Sequence, residues 1–254
     1  MEDPLYALGY KDFNPVSLDT DDVAYEYVIS RDAQDEWAVR SHQNYGEPWN
    51  AGKFEAEILL LKITLKNQES FTLNIDEQYR PNTSLDSFKK SKPVYGTRAI
   101  TSGNAPGLND GAAAILFMTR AKADDLGLEP LAEIISMTSI DISPLRMNEG
   151  PAYAAVKALK LLDMSIHDIN VMEINEAFAA VPLVSSLLMA DKDKYKAKRL
   201  RQKTNTNGSE IAIGHPNTAS GARLIMNLTY ELGRRGGGFA LGAICGSLAQ
   251  ADAC

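Results

Sequence analysis

Residues 207–223 read NGSEIAIGHPNTASGAR. The stretch sets one histidine, His215, in a glycine-bounded turn, after an apolar run, Ile211-Ala212-Ile213, that reads as strand-like. A helix-like run follows. The residues after the histidine are small, so a ligand or another backbone can approach closely. The sequence holds three histidines, and His215 is the one in such a turn. If the chain carries an active site, His215 is the first residue to place in it.

Composition narrows the field. The 254 residues, 44% hydrophobic and 23% charged, are those of an ordinary globular protein with a substantial core. A net charge of -7 argues against a general nucleic-acid binder, which shows a basic face. A small anion remains possible, because helix N-termini hold phosphate. The two cysteines, Cys245 and Cys254, do not make a disulfide framework, so a reducing compartment, the cytoplasm, is expected. The opening MEDPLYALGYKD is acidic and reads as neither a secretory signal nor an Arg-rich transit peptide. No apolar run approaches the ~20 residues of a membrane helix.

Residues 1 to about 95 read as irregular and turn-rich. One helix is expected over 31–45, with Ser30 as its N-cap and Trp37, Ala38 and His42 near one face. Two strand-like pieces, 55–65 and 70–75, flank the turn Lys66–Glu69. Beyond residue 98 the pattern alternates. Ala112–Met118 is a continuous apolar run, as in a strand buried on both faces. Residues 120–128 read as a short helix stopped at Gly127. Residues 131–140 read as a strand. Residues 151–163 form an amphipathic helix with Pro151 in its first turn. NVMEI (170–174) is a short strand. Residues 175–190 are helical, with a kink expected at Pro182. Residues 219–235 are a strong helix stopped by Gly236–Gly238. FALGAIC and SLAQADA read as two closing strands around Gly246. The charged run 191–203 is a solvated helix end or loop. Alternating strands and helices predict a layered α/β domain with a largely parallel sheet, whose ligands sit at the carboxyl ends of strands. Asn175, His215 and Cys245 then all fall at strand ends.

The chemistry of these three stays open on residues alone. His215 suits a general base or an oxyanion donor. A metal role lacks a second His or Cys at ligand spacing. Cys245 reads equally as a small buried hydrophobe and as a nucleophile or proton carrier beside a glycine turn. Asn175 is either an N-cap or an amide aimed at a reacting oxygen. No G-x-S-x-G elbow, P-loop or dinucleotide fingerprint is present.

Together, INEAFAA (174–180), NGSEIAIGHPNTASGAR (207–223), GAICGSLAQADA (242–253) and GNAPGLNDGAAA (103–114) resemble the thiolase family of acyl-CoA acyltransferases. The likeness extends to ISRDAQDEWAVRSHQ (29–43) and DEQYRP (76–81). It implies transfer of an acyl group between coenzyme A thioesters, with coenzyme A as substrate and no permanently bound cofactor. It implies a layered α/β/α fold, the second half complete and the first partial, with an irregular α+β loop domain. Residues 1–95 would be that loop domain, 96–127 the remnant of the first half, and 128–254 the second half. A homo-oligomer, dimer or tetramer, is implied as well.

The resemblance also assigns roles. His215 activates a nucleophilic cysteine and helps form an oxyanion hole. Asn175 holds the water that completes the hole, and Cys245 moves the proton at the α-carbon of acetyl-CoA. Gly246 and Ser247 support the oxyanion. Arg80, Phe178, Pro106 and Gly107 contact substrate, Arg80 at the nucleotide end and Pro106 where many members carry a serine near the pantetheine. The family's nucleophilic cysteine precedes its loop domain, and this sequence has no cysteine before Cys245. The activity is therefore expected to be incomplete without a segment carrying that cysteine, in trans or otherwise. Two alternatives are a non-catalytic CoA-binding or subunit-pairing protein and a small Cys–His hydrolase.

Overall fold

A computed structural model describes residues 15–246 and 249–254. Ser247 lies outside the described residues. The sheet that organises the site has four strands in the order β3 (Thr138–Asp141), β6 (Gln250–Ala253), β5 (Ala240–Gly246) and β4 (Val171–Ile174). It is covered on both faces, which is the layered fold the sequence implied. Alternation along β4 shows how. Met172 and Ile174 join the core beneath α5 (Gly150–Leu161) and α6 (Ala180–Met189), with Ala154, Ala158, Val181 and Leu187. Val171 faces the other way, onto Leu224 and Leu228 of α9 (Ser220–Arg234). All four β4 residues are buried, as a strand packed between two helical layers requires.

The sheet is not largely parallel. Only β4–β5 is parallel; β5–β6 and β3–β6 are antiparallel. Connection length explains it. The segment between β4 and β5 holds α9 and has room for a crossover, whereas β5 and β6 are three residues apart and can only form a hairpin.

The N-terminal residues are more ordered than expected. A helix not anticipated, α1 (Val16–Glu26), buries Val23 and Ala24. Helix α2 (Arg31–Asn50) is capped by Ser30, whose hydroxyl accepts the Ala33 N–H at 3.1 Å, and it buries Trp37, Ala38 and His42. The expected hairpin is present but shorter than 55–65 and 70–75, as β1 (Leu61–Thr64) and β2 (Ser70–Leu73), antiparallel and largely exposed, and residues 55–60 form no strand. Helix α3 (Leu85–Lys89) carries a capping box between Ser84 and Ser87 and buries Phe88. Helix α4 (Arg120–Asp125) precedes Gly127, whose φ of +64° suits a residue without a Cβ.

Other expectations are corrected. Ala112–Met118 lies outside regular structure, and Leu116 and Phe117 are 80% and 61% exposed. Residues 131–137 likewise form no strand, and β3 is only 138–141. Strands need partners for their backbone groups, and neither run has one among the described residues. Pro182 makes no kink: α6 starts at Ala180, so the proline stands in the first turn, where its missing N–H has no intrahelical use. The run 191–203 is α7 (Lys194–Gln202), capped by Asp193 and anchored by buried Ala197 and Leu200. Among the described residues, no helix is long and apolar enough to cross a membrane.

Candidate active site

β4 and β5 run side by side, with Ile174 opposite Ala243, and the Asn175 N–H donates to the Ala243 carbonyl at 3.0 Å. Asn175 and Cys245 thus stand at the carboxyl ends of adjacent parallel strands, as expected. His215 does not follow a strand. The run Glu210–Ile213 is a helical turn, α8, closed by the Gly214 N–H on the Glu210 carbonyl at 2.7 Å. Three apolar residues without a neighbouring strand take the locally bonded form.

A second loop holds the His215 turn. The His215 N–H donates to the Gly107 carbonyl at 3.2 Å and to Asn109 Oδ1 at 3.3 Å. Gly214 has φ +96°, and a Cβ there would lie 2.5 Å from the Asn109 side chain, so glycine is required. A Cβ on Gly111 would meet Pro216 at 2.8 Å. The close approach is thus made before the histidine, at Gly214 by the Asn109 side chain, whereas nothing lies within 4 Å of a Cβ at Gly221 among the small residues that follow it. Gly107 is therefore carried to the histidine, with Pro106 one residue before it in the chain. Gln78, two residues before Arg80, abuts Gly107: its Oε1 would be 2.9 Å from a Cβ there. Arg80 itself is exposed, and its N–H donates to Nδ1 of buried His42 at 3.3 Å. Burial and the neighbouring Arg80 charge hold His42 down at about 4. Phe178 is half-buried against the main core, and Gly246 is the last residue of β5.

His215 Nδ1 lies 2.7 Å from the hydroxyl of buried Ser220. With Nδ1 so engaged, Nε2 is the ring nitrogen left for proton transfer. Burial lowers the His215 pKa, Glu210 opposes this, and Arg223 adds to it. The net direction keeps the ring neutral at pH 7, as a base must be. Burial pushes the Cys245 thiol up to about 11, its own backbone N–H opposing and Glu210 adding to the rise. Such a thiol is protonated at neutral pH, a property of a proton carrier and not of a resting nucleophile. A thiol so raised fits a small buried side chain as well as a proton carrier, and it weighs against the nucleophile of a Cys–His hydrolase. Cys254 is held at a different point, paired through its backbone with Gly242.

Sequence reading missed the polar network beneath these groups. Glu176 is fully buried and accepts from Trp37 Nε1 (2.8 Å), Ser41 Oγ (2.7 Å), Asn205 Nδ2 (2.9 Å) and the Ile211 N–H (3.2 Å). It ties α2 to the end of β4 and to α8. Arg223 of α9 pairs with both Glu173 and Glu210. Burial raises Glu173 to about 7, Arg223 opposing and Glu210 reinforcing the rise. For Glu210, burial is outweighed by Arg223, the Glu176 N–H, Ser209 and His215, and its pKa falls below the ordinary value. Asn175 is not an N-cap: α6 starts five residues later, at Ala180.

The family model described as thiolase, C-terminal domain, matches residues 128–254, and that for thiolase, N-terminal domain, matches residues 10–121. The chain belongs to the thiolase family. It is 39% identical over 231 residues to the acetyl-CoA acetyltransferase of Cupriavidus necator, covering 91% of this chain and 57% of that protein. Its identity with the beta-ketoadipyl-CoA thiolase of Pseudomonas aeruginosa is 37% over 241 residues, 93% of this chain and 58% of that protein. Among solved structures, the acetyl-CoA acetyltransferase of Bacillus anthracis superposes with a TM-score of 0.87 at 32% identity, covering 96% of this chain and 60% of that one. Human mitochondrial 3-ketoacyl-CoA thiolase in complex with CoA gives a TM-score of 0.81 at 32% identity, covering 94% and 57%. This thiolase chain thus spans somewhat more than half the length of the relatives it matches.

Proposed function

We propose that this chain supplies the histidine, asparagine and α-proton cysteine of a thiolase active site, acting on acetyl-CoA and 3-ketoacyl-CoA. The observation that carries the reading is the placement of Asn175 and Cys245 at adjacent parallel strand ends, with the Asn175 amide bonded to Glu210 at the start of the turn that leads to His215. His215 Nε2 takes the proton of an acyl-accepting thiol, whose thiolate carries the acyl group and divides one hard step into two. Cys245 exchanges the α-proton of acetyl-CoA, while His215 and the Asn175 amide stabilise the oxyanion. The acyl-carrying thiol is neither Cys245 nor Cys254. We assign it to a segment beyond these 254 residues, in the same polypeptide or another. Arg80, Phe178, Pro106 and Gly107 take the CoA substrate, with Arg80 at its nucleotide end and Gly246 and Ser247 beside the oxyanion. Residues 1–95 act as the CoA-covering loop domain, 96–127 as part of the first thiolase half and 128–254 as the second half; the assembly is a homo-oligomer.

The test is thiolysis of acetoacetyl-CoA by the chain reconstituted with the relatives' N-terminal segment. Turnover is expected, with His215→Ala and Cys245→Ala each losing ~10²-fold or more. Turnover indifferent to both substitutions would sink the reading.

A further inference from the structure

Glu210 takes no chemical step in the reading above. It is fully buried, and every bonding direction of its carboxylate is taken. Oε2 accepts the Glu176 N–H and the Ser209 hydroxyl, both at 2.7 Å. Oε1 accepts the Arg223 guanidinium. In the orientation that satisfies both its ends, the Asn175 carboxamide donates to the same Oε1 at 2.9 Å and accepts the Ala177 N–H at 3.3 Å. Four bonds to one carboxylate, one of them to a cation, make an ionised anchor. They span elements far apart in sequence: β4 with the residues just after it, α8, and α9.

We propose that Glu210 is a positioning residue of this site, fixing the Asn175 carboxamide and tying the turn that carries His215 to the end of β4. The assignment rests on the thiolase reading, because it gives the Asn175 amide a task. One amide N–H is held by Glu210, which leaves the second N–H aimed by that bond and free for a water or an oxyanion. A neutral side chain in place of Glu210 breaks the bond to Arg223 as a charge pair and frees the amide to turn.

The charge gives a readout that mere packing does not. The ionisable groups facing Glu210 are Arg223 and Glu173 on the α9 side, Glu176 at the β4 end, and His215 and Cys245 at the site. Asp76 stands behind Arg223, and Arg40 behind Glu176. Glu210 raises both His215 and Cys245, whereas burial raises Cys245 and lowers His215. Removing the charge therefore moves both titrations down. Loosening the structure moves Cys245 down and His215 up.

The experiment is Glu210→Gln in the full chain. The His215 imidazole is followed by NMR titration, assigned with His215→Asn, and Cys245 by the pH dependence of iodoacetamide alkylation. The expected result is a downward shift of both midpoints by about one pH unit. In the reconstituted enzyme, kcat should fall ~10-fold with KM for the CoA substrate unchanged. Unmoved midpoints, or a His215 midpoint that rises, would overturn the proposal. Wild-type reconstituted enzyme run in parallel tests the thiolase reading itself. Its failure is distinguishable, because the titrations are read on the chain without turnover.

Discussion

At the residue scale, the candidate site was legible where its geometry depends on neighbouring residues. His215 follows Gly214, whose positive φ and close Asn109 side chain require a residue without a Cβ, and that glycine is visible in the sequence. Asn175 and Cys245 end apolar runs and therefore end strands. Glu210 was not legible. It stands just before a run that reads as a strand, and its partners Glu176 and Asn175 are more than thirty residues away. A buried carboxylate announces itself only through the side chains that neutralise it, and those are brought by the fold. The raised Cys245 thiol gives a direct prediction. Its alkylation rate should climb through the alkaline range toward a midpoint at about 11. A midpoint near an ordinary thiol value would show an exposed Cys245 and weaken its role as proton carrier.

At the element scale, caps and amphipathic helices were read correctly because their signals are local. The Ser30 cap is one, and Ser30→Ala should cost about 1 kcal/mol in urea unfolding; no measurable change would mean that another group satisfies the Ala33 N–H. Strand assignments were weaker, because an apolar run does not state whether a partner strand exists. Ile211–Ile213 became a helical turn for that reason. The tie between α9 and the N-terminal residues is ionic. Glu231 binds Lys53 at 2.9 Å, Arg235 at 2.8 Å and Asn207 at 3.1 Å. Burial opposes its ionisation, but these partners outweigh burial and hold it at about 2. A carboxylate depressed in the folded state adds stability above its unfolded value, and that stability is lost as pH falls toward the folded value. Glu231→Gln should therefore lower the melting temperature at pH 7 and leave it nearly unchanged close to pH 2. An equal loss at both would assign Glu231 a packing role.

At the scale of the whole molecule, the apolar residues of two runs, 112–118 and 131–137, stand largely uncovered. Leu116, Phe117, Leu131 and Met137 are 80, 61, 72 and 71% exposed, in runs that the sequence marked as strands. Their composition was read correctly and their environment was not, because burial on two faces needs layers that the described residues do not provide. Exposed apolar runs of this kind associate. The chain by itself should self-associate in light scattering, and the relatives' N-terminal segment should suppress this while protecting the amides of residues 112–137 from hydrogen exchange. A monodisperse monomer with those amides already protected would contradict this.

The central claim is that His215 and Cys245 serve one site with divided labour. It is tested most directly by separating the two half-reactions in the reconstituted enzyme. The measurement is acetyl exchange between acetyl-CoA and a free CoA analogue, which needs acyl transfer alone, beside acetoacetyl-CoA formation, which also needs α-proton removal. Cys245→Ala should keep the exchange and lose condensation, whereas His215→Ala should lose both. Condensation that survives Cys245→Ala, or exchange that survives His215→Ala, would contradict the account.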